Sequence, residues 1–246
     1  MITLAGIIGS GKSSLTKLLS QELNTTPFFE PVTDNPVLPL FYKGNELAAK
    51  KRAAGATDVT NPYTYLLQTF FLNRRFKMIK EAMRGDNNIL DRSIYEDAMF
   101  MRMNTELGNA TQIEYQIYQE LLKNMLDEIK LATPKNHKDL MILIKVSYPT
   151  MIKRIEKRGR EYEQVTNDPS LVDYYKRLLE FYDEWERTYD KSPLLVIDGD
   201  KYDFVENKSD RQFVLNTIAD TLLDMGKISR DEHLKLYTEI ISLPPL

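Results

Sequence analysis

The chain has 246 residues, 42% of them hydrophobic, enough for one sizeable core with a few appended elements. A net charge of −3 carries no global basic field of the kind that marks a nucleic-acid binder, and the lack of any cysteine excludes disulfides, thiolate metal sites and cysteine nucleophiles. The only two histidines, His137 and His233, lie in polar stretches far from other chemical signals, which argues against a His-based zinc site or a Ser-His-Asp triad.

Read from the N-terminus, Ile2–Ile8 is an apolar run of strand length, and Leu15, Leu18, Leu19 and Leu23 then fall at helical spacing. Pro27–Glu30 is expected as a second short strand, broken by Pro31. Lys43–Asn61, rich in Ala, Gly and Lys, reads as a mobile insertion between elements. Tyr63–Met83 is predicted helical and apolar nearly all round, hence buried. Ile89–Asp91 is the next strand, followed by a helix over Gln112–Ile129 and a strand over Met141–Val146. Helices over Thr150–Lys157 and Leu171–Tyr189 and a strand over Leu194–Asp198 complete the series. This alternation predicts an α/β fold, a five-stranded parallel sheet flanked by helices on both faces. One domain is expected over residues 1–226, with a C-terminal extension, 227–246, that forms an extra helix and a Pro-ended tail. No apolar run approaches the roughly 18 residues of a membrane span, and no basic segment precedes the N-terminal run, so neither membrane nor signal peptide is expected and cytoplasm is the default.

Gly6-Ile7-Ile8-Gly9-Ser10-Gly11-Lys12-Ser13 matches G-x-x-x-x-G-K-S in full, between an apolar strand and an amphipathic helix. Glycines let backbone N–H groups turn inward around phosphate oxygens, and the helix adds its positive end. Lys12 would reach the β- and γ-phosphates and Ser13 would ligate Mg²⁺. Such a site needs an acid at a neighbouring strand end. Asp91 can hold Mg²⁺ there, while Arg92 can meet negative charge; a turn or cap is the plainer reading of an Asp after two aliphatics.

Asn207-Lys208-Ser209-Asp210 fits the guanine-reading N-K-x-D, but it lies ten residues after Ile197, near the end of the nearest strand, and no D-x-x-G accompanies it, so a helix cap explains it better. Arg154, Arg158 and Arg160 cluster at a helix end, where they suit clamping a phosphoryl group or a solvated surface balanced by Glu156, Glu161 and Glu163. Glu30, at a strand end, can accept the proton of an attacking hydroxyl, or be an exposed turn acid. Gln68 and Arg75 share a helix face with Phe71 between them; a flat base can bond Gln68 and stack on Phe71, or Arg75 can simply pair with Asp97.

Together with Phe29-Glu30-Pro31-Val32, Asn35-Pro36-Val37-Leu38, Leu67-Gln68, Asp91-Arg92-Ser93-Ile94-Tyr95-Glu96-Asp97 and Lys157-Arg158-Gly159-Arg160 with Glu163-Gln164, these residues resemble the deoxynucleoside kinase family, in particular its bacterial deoxyadenosine/deoxyguanosine members. The resemblance runs from Met1 to about Leu223 and implies a P-loop kinase fold with an Arg-rich lid over about residues 154–166. It implies Glu30 as general base for a 5′-hydroxyl, Arg92 bridging that hydroxyl and Glu30, and Gln68 bonding the nucleobase, with Arg75 and Asp97 shaping its pocket; the volume near Phe71, Met101 and Asp97 is expected to decide which base fits. Tyr42 and Glu163 are implied at the sugar 3′-hydroxyl. Gly6, Gly9, Ser10, Gly11, Lys12, Ser13, Ser14 and the lid residues Arg154, Arg158 and Arg160 are implied around ATP, with Asp200, Tyr202 and Phe204 near the donor adenine. Also implied are homodimers paired through two long helices and feedback inhibition by an end-product triphosphate. The activity expected is ATP-dependent phosphorylation of a deoxynucleoside, deoxyadenosine favoured. The alternative is a nucleoside monophosphate kinase of the thymidylate kinase type, whose acceptor needs further cations.

Overall fold

The computed structural model describes residues 1–32, 34–133 and 139–242. His137 and the Pro-ended tail from residue 243 lie outside the described residues. The elements in chain order are β1 (Ile2–Ala5), α1 (Lys12–Glu22), β2 (Pro27–Phe28), α2 (Leu38–Ala53), α3 (Thr64–Ala82), β3 (Ile89–Asp91), α4 (Ile94–Glu106) and α5 (Gln112–Ala132). There follow β4 (Leu140–Lys145), α6 (Tyr148–Arg158), a 3₁₀ turn at Glu161–Glu163, α7 (Leu171–Thr188), β5 (Leu194–Asp198), α8 (Lys208–Asp224) and α9 (Arg230–Ser242).

The strands form one parallel sheet in the order β2-β3-β1-β4-β5. Alternate residues of each strand serve opposite faces. Ile2, Leu4, Leu140, Ile142 and Ile144 pack with α1, α8 and α9 side chains, among them Leu15, Leu19, Val214, Ile218 and Leu236. Ala5, Met141 and Leu143 face the other way, onto Phe41, Met151, Tyr175 and Trp185. A third cluster joins Leu90 to α3, α4 and α5 through Leu72, Ile79, Met101 and Tyr118. Because all strands are parallel, their C-terminal ends open on one side. The chain leaves β1 toward β2 and later crosses to β4, so the crevice falls at β1, beside β3.

Two expectations change. Lys43–Ala53 is not a mobile insertion but the body of α2, as its Ala, Leu and Lys content favours. Gly44 lies inside this helix. It is needed because a Cβ there would stand 2.1 Å from Asn61 Oδ1, and the buried Asn61 amide donates to Phe41 O (2.8 Å) and Asn45 Oδ1 (2.7 Å). Only residues 54–61 remain as loop, held by Arg52 donating to Val59 O and Gly108 O. Nor is α3 buried all round: Leu66, Asn73, Arg74 and Lys77 are exposed. The N-K-x-D segment is the start of α8, where the Asn207 Oδ1 accepts from Ser209 N and Asp210 N as an N-cap. The C-terminal helix, α9, and the turn before it close the sheet face, with Leu236 and Ile228 in the core.

Candidate active site

A cavity of about 1010 Å³ runs along the C-terminal strand ends, from the loop after β1 to α3 and α4. At its donor end, two glycines adopt backbone conformations that side chains resist. Gly6 has φ +146°, and a Cβ would meet Ile144 O and Ser10 Oγ at 2.7 Å; Gly11 has φ +101°, and a Cβ would meet Phe204 at 2.9 Å. The loop can therefore lie close to a ligand while α1 starts at Lys12 with no side-chain cap, leaving its first N–H groups for an anion. Lys12 Nζ donates to Gly6 O (2.7 Å) and Ile7 O (3.0 Å). Burial first, then the nearby Arg92, lowers its pKa to about 8.

Beside the lysine, Ser13 Oγ donates to Asp91 Oδ2 at 2.5 Å, and Asp91 Oδ1 is buried with no partner among the described residues. Burial raises the Asp91 pKa, with Lys12 pulling the other way. A buried, unsatisfied carboxylate oxygen next to a hydroxyl suits a hard cation such as Mg²⁺. Among the described residues no group of three or more His, Asp or Glu could hold a metal, so phosphate oxygens and water would complete the shell.

Glu30 stands two residues past β2, and Arg92 follows β3 with φ +79°, unusual for a residue with a side chain. Arg92 Nε donates to Glu30 Oε1 at 2.6 Å, and Arg75 Nη2 reaches the same oxygen at 3.2 Å. Oε2 makes no hydrogen bond among the described residues, and Glu30 is part of the cavity lining. Burial opposes ionisation of Glu30, but Arg92, Arg75 and Lys12 hold its pKa below the ordinary value. Arg75 also donates to Asp97 Oδ2 (3.1 Å) and Asp91 O (2.5 Å), the internal pairing that the spacing allowed. It sits behind the wall and does not line the cavity.

Farther in, Leu67, Gln68, Phe71, Asp97 and Phe100 form an apolar slot with two polar side chains. The Gln68 amide is 4% exposed and makes no hydrogen bond among the described residues, which leaves it for a ligand. Tyr42, on α2, and Glu163 both line the cavity, and burial first, then Tyr175 and Glu163, raises the Tyr42 pKa well above the phenol range. Glu163 is 2% exposed and receives Arg158 Nη2 on Oε2 (2.5 Å) and Arg160 Nη1 on Oε1 (3.2 Å). Arg154 instead ties α6 to the loop, donating to Ser10 O (3.0 Å) and Gly199 O (2.9 Å).

Several expected residues lie elsewhere. Met101 is fully buried in the α3–α4–α5 core, and its neighbour Phe100 lines the cavity; one residue on a helix turns a side chain by about 100°. Phe204 is core packing under Gly11, and Tyr202 stacks on Phe213 with centroids 4.4 Å apart. Asp203, Val205 and Glu206 take their place on the wall. Asp200 lines it too, but its carboxylate accepts from Ser147 N at the start of α6. Lys153, Lys157 and Phe29 also line the cavity and had no assigned role; the one sequence signal for Lys153 is its place next to Arg154 on α6.

The family model described as deoxynucleoside kinase matches residues 2–224. A deoxyguanosine kinase of Lactobacillus acidophilus is 53% identical over 231 residues, 94% of each chain. A deoxyadenosine kinase of the same organism is 45% identical over 228 residues, 93% of this chain and 99% of that one. Among solved structures, a deoxyadenosine kinase from M. mycoides with bound dATP superposes with a TM-score of 0.64 at 27% identity, covering 88% of this chain and 98% of that one.

Proposed function

We propose, from the premise that this chain belongs to the deoxynucleoside kinase family, how its cavity carries out the transfer of a phosphoryl group from ATP to a deoxynucleoside 5′-hydroxyl. The thymidylate kinase alternative is set aside by that membership. The chemistry of the acceptor end agrees with this: Arg75 and Arg92 are both paired with carboxylates, so neither is spare for an acceptor phosphate.

The observation that carries the reading is Glu30 Oε1 held by two guanidiniums, with Oε2 unbonded among the described residues and Glu30 lining the same cavity as Lys12. The loop amides from Gly9 to Ser14 receive the ATP phosphates, with Lys12 moving from the Gly6 and Ile7 carbonyls onto them. Ser13 and Asp91 would hold Mg²⁺, which would supply positive charge against the donor phosphates. Glu30 Oε2 orients the 5′-hydroxyl and takes its proton as the bond to phosphorus forms. Its depressed pKa makes it a weak base, which suits a loose transition state in which the hydroxyl proton leaves late. Arg92 stays beside the new oxygen. Arg158 and Arg160 swing from Glu163 to the transferring group as the lid closes, and Glu163 with Tyr42 takes the 3′-hydroxyl.

The base is a purine in this reading. Gln68 can present donor and acceptor, and Asp97 Oδ1 can accept from adenine N6 or from guanine N1 and N2, so these two side chains do not separate the purines. The names of the more similar relatives favour deoxyguanosine over the deoxyadenosine preferred from sequence. Two copies pair through α3 and α5, where Leu66 (52%), Ile113 (68%) and Ile117 (50%) leave apolar surface open. No helix among the described residues is long and apolar enough to cross a membrane. The reading places the enzyme in the cytoplasm, where ATP is at hand as donor. Turnover with ATP and each of the four deoxynucleosides tests the reading: a purine deoxynucleoside is expected to give the highest kcat/KM, and a pyrimidine preference would overturn the base assignment.

A further inference from the structure

Two buried side chains that line no part of the cavity meet between its two halves. Tyr182, on α7, places its hydroxyl 2.8 Å from Gly6 O and 2.7 Å from Glu96 Oε1, and Arg92 Nη1 donates into it at 2.8 Å. Glu96, on α4 and fully buried, accepts from Gly6 N (3.1 Å) and Arg92 Nη1 (3.4 Å) on that same Oε1. Its other oxygen caps α4 by accepting from Ser93 N and Ser93 Oγ. The Tyr182 hydroxyl has one proton, so at any moment it donates either to Gly6 O or to Glu96 while Arg92 donates to it. Gly6 is thus gripped at its N–H by Glu96 and at its C=O by Tyr182, and that carbonyl also receives Lys12.

Arg92 needs such a grip. Its φ of +79° is strained for a residue with a Cβ, and its guanidinium is otherwise held by Glu30 and by the Phe100 ring, 4.8 Å beneath it. We propose that Tyr182 and Glu96 are positioning residues that fix the distance between Arg92 at the acceptor hydroxyl and Gly6 and Lys12 at the donor phosphates. The inference rests on the assignment of Arg92 and Glu30 to the hydroxyl. The Tyr182 ring packs edge-on against Phe100 and Trp185 and would do so equally as phenylalanine; only the hydroxyl bridges.

The test is a double-mutant cycle on the full chain, with Tyr182→Phe, Arg92→Lys and the pair, reading kcat and both KM values at saturating Mg²⁺. Losing a hydrogen bond to a charged group predicts a fall in kcat of about 10- to 100-fold for Tyr182→Phe, with both KM values within about threefold. On the Arg92→Lys background the same change is expected to cost less than about twofold. Glu96→Gln, whose amide oxygen can still cap α4, reads the contact from the other side and is expected to lower kcat comparably. Trp185→Phe, a packing control in the same cluster, is expected to lower the melting temperature and leave kcat unchanged. A Tyr182→Phe enzyme with kcat within twofold of the parent, an equal loss on both backgrounds, or an equal kcat loss in Trp185→Phe would each overturn the inference. Normal turnover in Arg92→Lys alone would instead remove the assignment of Arg92 on which it rests.

Discussion

Replacing Glu30 by glutamine changes one oxygen into an NH₂ group and little else in volume. The amide oxygen can still accept from Arg92 Nε and Arg75 Nη2, which now meet at Oε1 at 2.6 and 3.2 Å, so the side chain is expected to keep its place. The NH₂ then occupies the Oε2 position and presents protons where the reaction needs an acceptor. General-base contributions of about 10²–10⁴-fold correspond to roughly 3–5 kcal/mol of barrier, so kcat should fall by that factor while the nucleoside KM changes by less than about threefold. Stability should change too. Removing the carboxylate leaves Arg75 with Asp97 and Arg92 with Glu96, and a partly exposed ion-pair partner is lost, about 1–2 kcal/mol after allowing for solvent. The sign with pH follows from the lowered Glu30 pKa: its contribution is present above the unfolded-state value and disappears as pH falls through the folded one, so the parent and Glu30→Gln should converge in stability on acidification. Steady-state turnover with the preferred purine deoxynucleoside, paired with urea melts at pH 7 and at stepwise lower pH below the ordinary carboxylate range, measures both. Near-parental kcat with an intact fold would show that Glu30 does not take the proton.

Other outcomes follow from the same contacts. Glu163→Gln should raise the nucleoside KM about tenfold through the weakened sugar contact, and lower the ATP KM because Arg158 and Arg160 lose the partner that holds them off the phosphates; opposite signs in one titration check this. Lys12, with its pKa near 8, binds phosphate as the cation, so the ATP Kd should rise toward about tenfold per unit above pH 8; a Kd flat from pH 7 to 9.5 by calorimetry would refute it. Ile117→Arg, on the exposed α5 surface, should convert the proposed dimer to monomer by light scattering while secondary structure is unchanged.

The donor half was readable because it is local. Eight consecutive residues, Gly6 to Ser13, carry the turn, the lysine and the hydroxyl, and an apolar strand before and an amphipathic helix after announce their setting. The strands at Ile89–Asp91 and Leu194–Asp198 were legible to the residue for the same reason. Gly44 and Met101 show the limit. A glycine inside α2 looks like a breaker until Asn61 is known to press against it, and Met101 and Phe100 differ by one helical step that only the packing of α4 on α3 and α5 resolves.

Spacing along the chain determined that a parallel α/β sheet would form with a phosphate loop at the end of β1, because hydrophobic period, glycine placement and strand length are properties of neighbours. The meeting of Gly6 with Glu96 and Tyr182, 90 and 176 residues away, and the seating of two arginines on one Glu30 oxygen, were decided by the tertiary structure alone. Buried charges must find partners when water is removed, and which partners are near depends on how helices cross the sheet, which no local pattern records.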